Sequence, residues 1–205
     1  MEIILKNIGR RFNRDWIFRG IDYSFKRGNS YAILGPNGSG KSTLLQLILS
    51  SLSPSEGNIS YLVNAQPVEV DNFFSLVSLA APYQELVEEF TLRELIDFHF
   101  SFKALADDFD SKKLLALLEL QTAVDKEIRY FSSGMKQRTK LALACCAKTP
   151  VLLLDEPTAN LDIKGLSWYQ QLIKQFGGNK LLIICSNQAH EYDFCNHQLL
   201  IEQFK

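Results

Sequence analysis

The run Gly35-Pro36-Asn37-Gly38-Ser39-Gly40-Lys41-Ser42 constrains this chain more than any other stretch. It matches G-x-x-x-x-G-K-[ST] in full. It follows the apolar run Tyr31-Ala32-Ile33-Leu34 and precedes a helix expected over residues 43–50. Strand, glycine-rich turn and helix in that order make a phosphate cradle, the P-loop. The glycines let the backbone curl so that successive N–H groups point at phosphate oxygens, and the helix N-terminus adds its positive end. Lys41 is expected to bridge the β- and γ-phosphates of a nucleotide, and Ser42 to offer its hydroxyl to Mg²⁺.

A second constellation fits the same chemistry. Val151-Leu152-Leu153-Leu154-Asp155-Glu156 is four apolar residues ending in two carboxylates. A buried parallel strand would deliver Asp155 to its carboxyl end, where ligands of α/β sheets bind. Asp155 suits indirect Mg²⁺ coordination, and Glu156 suits polarising a water against the γ-phosphate. Alone the pattern is weak; paired with the P-loop it is strong.

The remaining pattern alternates in the same sense. Residues 2–7, 21–26 and 30–34 read as strands, punctuated by Gly20, Gly28 and Gly35. Residues 59–63 and 76–79 read as further strands. From 91 to 148 the signal is helical: 92–105, opened by the capping box Thr91-x-x-Glu94, then 111–120 and 133–147. Strand 151–154, helix 164–176, strand 180–185, a further helix and strand 198–202 close the pattern, with Gly177-Gly178-Asn179 as a helix stop. An α/β core therefore encloses a helical segment.

Composition excludes several alternatives. With 205 residues, 46% hydrophobic and 22% charged, the chain suits one globular domain with an inserted lobe. Its 22 Lys+Arg against 23 Asp+Glu leave a net charge of -1, without a basic field for nucleic acid. Met1-Glu2-Ile3-Ile4-Leu5-Lys6 reads as a strand and not as a signal peptide. The longest apolar runs, 141–147, 151–154 and 181–185, fall far short of the roughly 20 residues that cross a bilayer as a helix. Cys145, Cys146, Cys185 and Cys195 form no C-x-x-C pair. Buried thiols in a reducing cytoplasm are a better reading than a metal site begun by Cys195 and His197.

These residues, with what lies between them, resemble the nucleotide-binding subunits of ATP-binding cassette (ABC) transporters over essentially the whole chain. Pro36 to Leu45, with Thr43 after Ser42, has that family's P-loop wording. Phe131-Ser132-Ser133-Gly134-Met135-Lys136-Gln137-Arg138 is similar to its signature motif, usually Leu-Ser-Gly-Gly-Gln. Glu156-Pro157-Thr158-Ala159-Asn160-Leu161-Asp162 is close to the family's junction after the catalytic strand. The resemblance implies a parallel-sheet P-loop core, an antiparallel β lobe and an inserted helical lobe at about 85–147, in one domain spanning 1–205. It implies ATP and Mg²⁺ as ligands. It also implies a head-to-tail dimer, homodimeric or with a paired cassette, in which Ser132, Ser133 and Gly134 meet the partner's nucleotide. Phe12 falls where an aromatic ring stacks on adenine; Trp16 is the other candidate, and either ring also suits a core.

Three positions depart from the family pattern. Ser133 and Met135 replace a glycine and a glutamine in the signature. Ala80-Ala81-Pro82-Tyr83-Gln84 lacks a clean Q-loop, the expected glutamine falling near Pro82, so Gln84 becomes the metal contact only in a re-registered loop. Ser186-Asn187-Gln188 puts Asn187 where the family has a switch histidine, and His190 is expected to face away. An asparagine donates a neutral hydrogen bond to phosphate. These departures leave binding intact and bear on the hydrolysis rate.

The function implied is an ATPase subunit that energises a separate transmembrane permease from the cytoplasmic face of a membrane. The cluster Phe98-His99-Phe100-Ser101-Phe102 either meets that permease or packs inside the lobe. A regulatory ATP-binding cassette with little turnover is the alternative. A cassette acting on nucleic acid is disfavoured by the neutral charge and the lack of a second cassette. No appended regulatory domain is expected after residue 202.

Overall fold

The computed structural model describes residues 1–107 and 109–205. Two sheets share the work. Strands β1 (Glu2–Phe12) and β2 (Asp15–Lys26) form an antiparallel hairpin. β4 (Glu56–Val63) pairs with β1, and the short β5 (Gln66–Val68) closes a sheet of order β2-β1-β4-β5. The turn between β4 and β5 is Asn64-Ala65, both left-handed at φ 50° and 63°, which suits a two-residue hairpin following the right-handed strand twist.

The second sheet is parallel throughout. It consists of β3 (Ser30–Leu34), β6 (Val77–Ala80), β7 (Val151–Asp155), β8 (Leu181–Ser186) and β9 (His197–Leu200), in the order β6-β7-β8-β3-β9. All of β7 and β8 is buried, as expected of central strands covered on both faces. Their side chains alternate between two cores. Val151, Leu153, Leu181, Ile183 and Cys185 pack with α1 (Lys41–Ile48) and the antiparallel sheet. Leu152, Leu154, Leu182 and Ile184 pack with α5 (Ser133–Cys146) and α6 (Ile163–Phe176).

Between β6 and β7 the chain is helical. α2 (Val70–Phe73) precedes β6, while α3 (Leu92–Phe102), α4 (Ser111–Leu118) and α5 follow it. Thr91 and Glu94 complete the expected capping box on α3, the Glu94 carboxylate accepting from Thr91 N–H at 2.8 Å. α4 stops at Glu119, which adopts a left-handed conformation at φ 57°. The short α7 (Ala189–Tyr192) joins β8 to β9.

The parallel core, antiparallel lobe and helical insertion implied by the resemblance are all present. The differences from sequence are local. β1 runs to Phe12 because Asn7, left-handed at φ 49°, shifts its register and hides the alternation. The last strand ends at Leu200, and Ile201–Phe204 tightens into a 3₁₀ turn. Of the thiols, Cys145, Cys146 and Cys185 are buried and all four are free. His197 stacks on Tyr31 with ring centroids 4.9 Å apart.

Candidate functional site

The P-loop leaves the carboxyl end of β3 and opens α1. Gly40, at φ 104°, could not carry a side chain: a Cβ there would stand 2.5 Å from Cγ2 of Ile17 on β2. Gly38, at φ 77°, faces open space. No side chain caps α1, so its first N–H groups remain available to an anion. Lys41 is only 4% exposed. Its Nζ donates to the carbonyls of Gly35 at 2.9 Å and Pro36 at 3.2 Å. Pro36, Asn37 and Gly38 are exposed, whereas Ser39 is buried with its Oγ unpartnered. Ser42 and Thr43 lie half-buried in the first turn of α1.

β7 delivers Asp155 to the same edge. Its Oδ1 is buried without a partner, and burial pushes its carboxyl up to about 6. The adjacent Glu156 adds to that shift, while a hydrogen bond with Ser42 and the charge of Lys41 oppose it. The orphaned Ser39 Oγ and Asp155 Oδ1, beside an uncapped helix and a buried cation, fit a polyphosphate with a divalent ion. Such an ion, when bound, would neutralise phosphate charge and add to Lys41 a second opposite charge for Asp155.

The sign of the Asp155 shift gives a stability prediction. A carboxyl raised from 3.8 to about 6 contributes most when protonated. That contribution is complete below about pH 4 and lost as pH rises through about 6. Ionisation at neutral pH then costs about 3 kcal/mol. Asp155→Asn should raise the melting temperature of the nucleotide-free protein by roughly 6–12 °C at pH 7.5. The gain should shrink to about a third of that at pH 4.5, and equal gains at both pH values in a thermal scan would contradict it.

Glu156 follows in a left-handed conformation at φ 43°. That backbone costs about 1 kcal/mol in a non-glycine residue. The Glu156 N–H donating to the Cys185 carbonyl at 2.9 Å offsets it. Asn187 stands across the loop. β3 and β8 pair Leu34 with Ser186, so the residue after β8 emerges beside the residue after β3. Its Nδ2 donates to Asn37 Oδ1 at 3.0 Å. His190 instead meets Thr158, Nε2 to Oγ1, at 3.1 Å.

Ser132 and Ser133 are exposed at the start of α5, with Gly134 half-buried. Ser132 Oγ accepts from Met135 N–H at 3.2 Å. Met135 packs on the core of the helical lobe, which explains an apolar residue there. The nearest atom to a Cβ built on Gly134 is the Asn160 carbonyl, at 3.1 Å. Gly134 thus lies against the loop after β7.

Two loops are less orderly. Gln84 lies in the groove beside Glu85 and Lys140, its Oε1 buried and unpartnered. The Tyr83 phenol of this loop lies within electrostatic range of Asp155 and is pushed up, chiefly by burial and then by that charge. Sequence reasoning missed Tyr83; the register Ala80↔Leu154, which brings the loop alongside Asp155, is the signal that reveals it. At the β1–β2 tip Phe12 and Trp16 are both exposed. Arg10 stacks over Phe12 at 4.5 Å, and Arg19 and Arg11 over Trp16 at 4.7 and 5.7 Å.

Residues 18–159, more than half of the chain, match the family model described as ABC transporter. The Nod factor export ATP-binding protein I of Burkholderia lata is 31% identical over 207 residues, covering 98% of this chain and 68% of that protein. A putative ABC transporter ATP-binding protein from Pyrococcus furiosus superposes with a TM-score of 0.82 at 19% identity, over 100% of both chains. A bacterial ABC transporter cassette solved as a dimer gives 0.79 at 21%, over 97% of this chain and 94% of that one. At those identities the structural likeness is one of fold. With the motifs in order on that fold and the family model spanning most of them, the chain belongs to the ABC transporter family as an ATP-binding cassette.

Proposed function

We propose that this chain binds and hydrolyses MgATP as the ATPase subunit of a transporter, pairing head to tail with a second cassette. The observation carrying this reading is that one chain holds two unlike half-sites. One is the P-loop with the orphaned Ser39 Oγ and, beside it, Asp155 Oδ1; the other is the exposed signature start at Ser132 and Ser133, which its own P-loop does not use. A two-fold pair would bring each half-site onto the other and bury both nucleotides.

In this reading Lys41 meets the β- and γ-phosphates, and the N–H groups of residues 38–43 cradle their oxygens. Ser42 and Asp155 would hold Mg²⁺, with Tyr83 beside them and Gln84 at the groove. Glu156 orients and deprotonates the attacking water. Ser132, Ser133 and the α5 N-terminus meet the γ-phosphate of the partner's nucleotide. Phe12 offers the adenine a ring at the hairpin tip, with Trp16 next to it.

Among the described residues no helix is long and apolar enough to cross a membrane; in this reading a separate subunit carries the membrane path. A groove of about 190 Å³ lined by Leu86, Val87, Leu95, Phe98 and Phe102 suits that subunit's docking. Phe102 is 73% exposed at its rim, while Phe100 packs into the lobe. The cassette would then work at the cytoplasmic face of the membrane.

Asn187 supplies the test. Releasing Asn37 would let its amide turn to the γ-phosphate as a neutral donor, a weaker contact than a cationic one. Phosphate release and ATP affinity are measured on wild type, Asn187→Ala and Asn187→His. Alanine should lower turnover with affinity kept, and histidine should maintain or raise it. Wild-type rates in both variants would remove Asn187 from the machinery, and no phosphate release by wild type would remove the ATPase assignment.

A further inference from the structure

Glu191 is a carboxylate with 0% of its surface exposed, and nothing in the nucleotide chemistry above uses it. Charged side chains are almost never buried so completely unless paired. This one is satisfied by donors from two different segments. Its Oε1 accepts from the Thr158 N–H at 2.7 Å and from the Thr158 hydroxyl. Its Oε2 accepts from the hydroxyl of Ser186, the last residue of β8. Its own backbone carbonyl accepts from Tyr169 Oη of α6 at 2.9 Å, which anchors the clamp to the core.

Both segments lead to a half-site. Ser186 immediately precedes Asn187, which touches Asn37 of the P-loop. Thr158 lies in the loop after Glu156, and the signature helix holds the other side of that loop. Gln137 Nε2 of α5 donates to the Pro157 carbonyl at 2.8 Å, and the Asn160 carbonyl abuts Gly134. A path of hydrogen bonds and adjoining residues thus runs from Asn37 through Asn187, Ser186, Glu191 and Thr158 to its loop neighbours Pro157 and Asn160, which lie against α5 at Gln137 and Gly134. Glu191 is the joint where the two halves of that path meet.

We infer that Glu191 is a positioning residue that ties the switch segment at Asn187 to the loop at Thr158, so that nucleotide on this P-loop alters the signature start offered to a second copy. The inference rests on the nucleotide reading above. Its physical content is a shared set of charge-assisted hydrogen bonds. When Asn187 moves toward a phosphate, Ser186 moves the carboxylate, and the carboxylate moves Thr158. Coupling of this kind needs a physical element that both sites bias, and the Glu191 clamp is that element.

Hydrogen exchange read by mass spectrometry tests it, with a non-hydrolysable MgATP analogue and at a protein concentration shown monomeric by light scattering. In wild type the analogue should slow exchange at residues 35–45 and change it at 133–136 and 157–161. Glu191→Ala should keep the P-loop protection and an analogue affinity within about threefold of wild type. Its response at the two distant segments should fall by more than about half. Glu191→Gln, whose amide oxygen still accepts from Thr158, should restore most of that response. Ser186→Ala cuts the switch arm while both Thr158 bonds to Oε1 remain; it should fold with a melting temperature lowered by several degrees, and it decides the matter if Glu191→Ala does not fold. A wild-type response at both distant segments in the folded variants overturns the linkage alone. An unprotected P-loop in wild type overturns the nucleotide reading and the linkage with it.

Discussion

Lys41→Ala is expected to weaken MgATP binding by roughly 10²- to 10³-fold, about 3–4 kcal/mol. The lysine is buried and already desolvated, so its charge acts on the phosphates at short range in a weakly screened site. Alanine removes that charge and also frees the carbonyls of Gly35 and Pro36 that now hold the ammonium. These carbonyls would then face the polyphosphate as uncompensated negative dipoles. Calorimetry of wild type and variant at one salt concentration measures the difference. Unchanged affinity would take the nucleotide away from this loop.

Glu156→Gln should have the second large effect, on turnover and not on binding. The amide keeps the shape of the side chain and cannot accept a proton from water, so hydrolysis should fall by roughly 10²- to 10⁴-fold. The left-handed backbone at residue 156 is served as well by glutamine as by glutamate, so the fold and the nucleotide cradle should persist. ATP then stays in place and should hold two chains together, doubling the mass seen by light scattering at saturating nucleotide. A monomer under those conditions would withdraw the closed pair from the isolated chain and assign closure to the membrane subunit.

The parts legible in the sequence are those where chemistry demands particular residues at fixed spacing. Gly40 and Lys41 have to stand where they do for a backbone to wrap phosphate. Asp155 becomes legible once the P-loop is found, because a phosphate site then calls for an apolar strand that ends in a carboxylate. The helical insertion was legible from the near absence of strand signal between residues 91 and 148 and from the capping box of Thr91 and Glu94. What escaped depends on neighbours distant in sequence. β5 has three residues, one of them a proline, too few to show a period. Tyr83 matters through the pairing of β6 with β7, which no local pattern encodes. Glu191 reads as an ordinary surface acid on a short helix until α7 folds it against Thr158 and Ser186.

The partition made by β7 and β8 has a consequence for how the gene can vary in length. Because neighbouring side chains on each strand line opposite cores, removing or adding one residue would send every side chain beyond that point into the wrong lining. The same slip would pull Asp155 back from the edge or push it past Ser42. Both strands therefore tolerate exchange of one aliphatic residue for another far better than any insertion or deletion. Length changes should be accommodated instead where the chain turns in solvent, at the Asn64-Ala65 hairpin or after Gly178, where an added side chain meets open space. Libraries that vary loop length at those two places should keep the nucleotide site intact, while single-codon deletions inside β7 should yield no soluble protein.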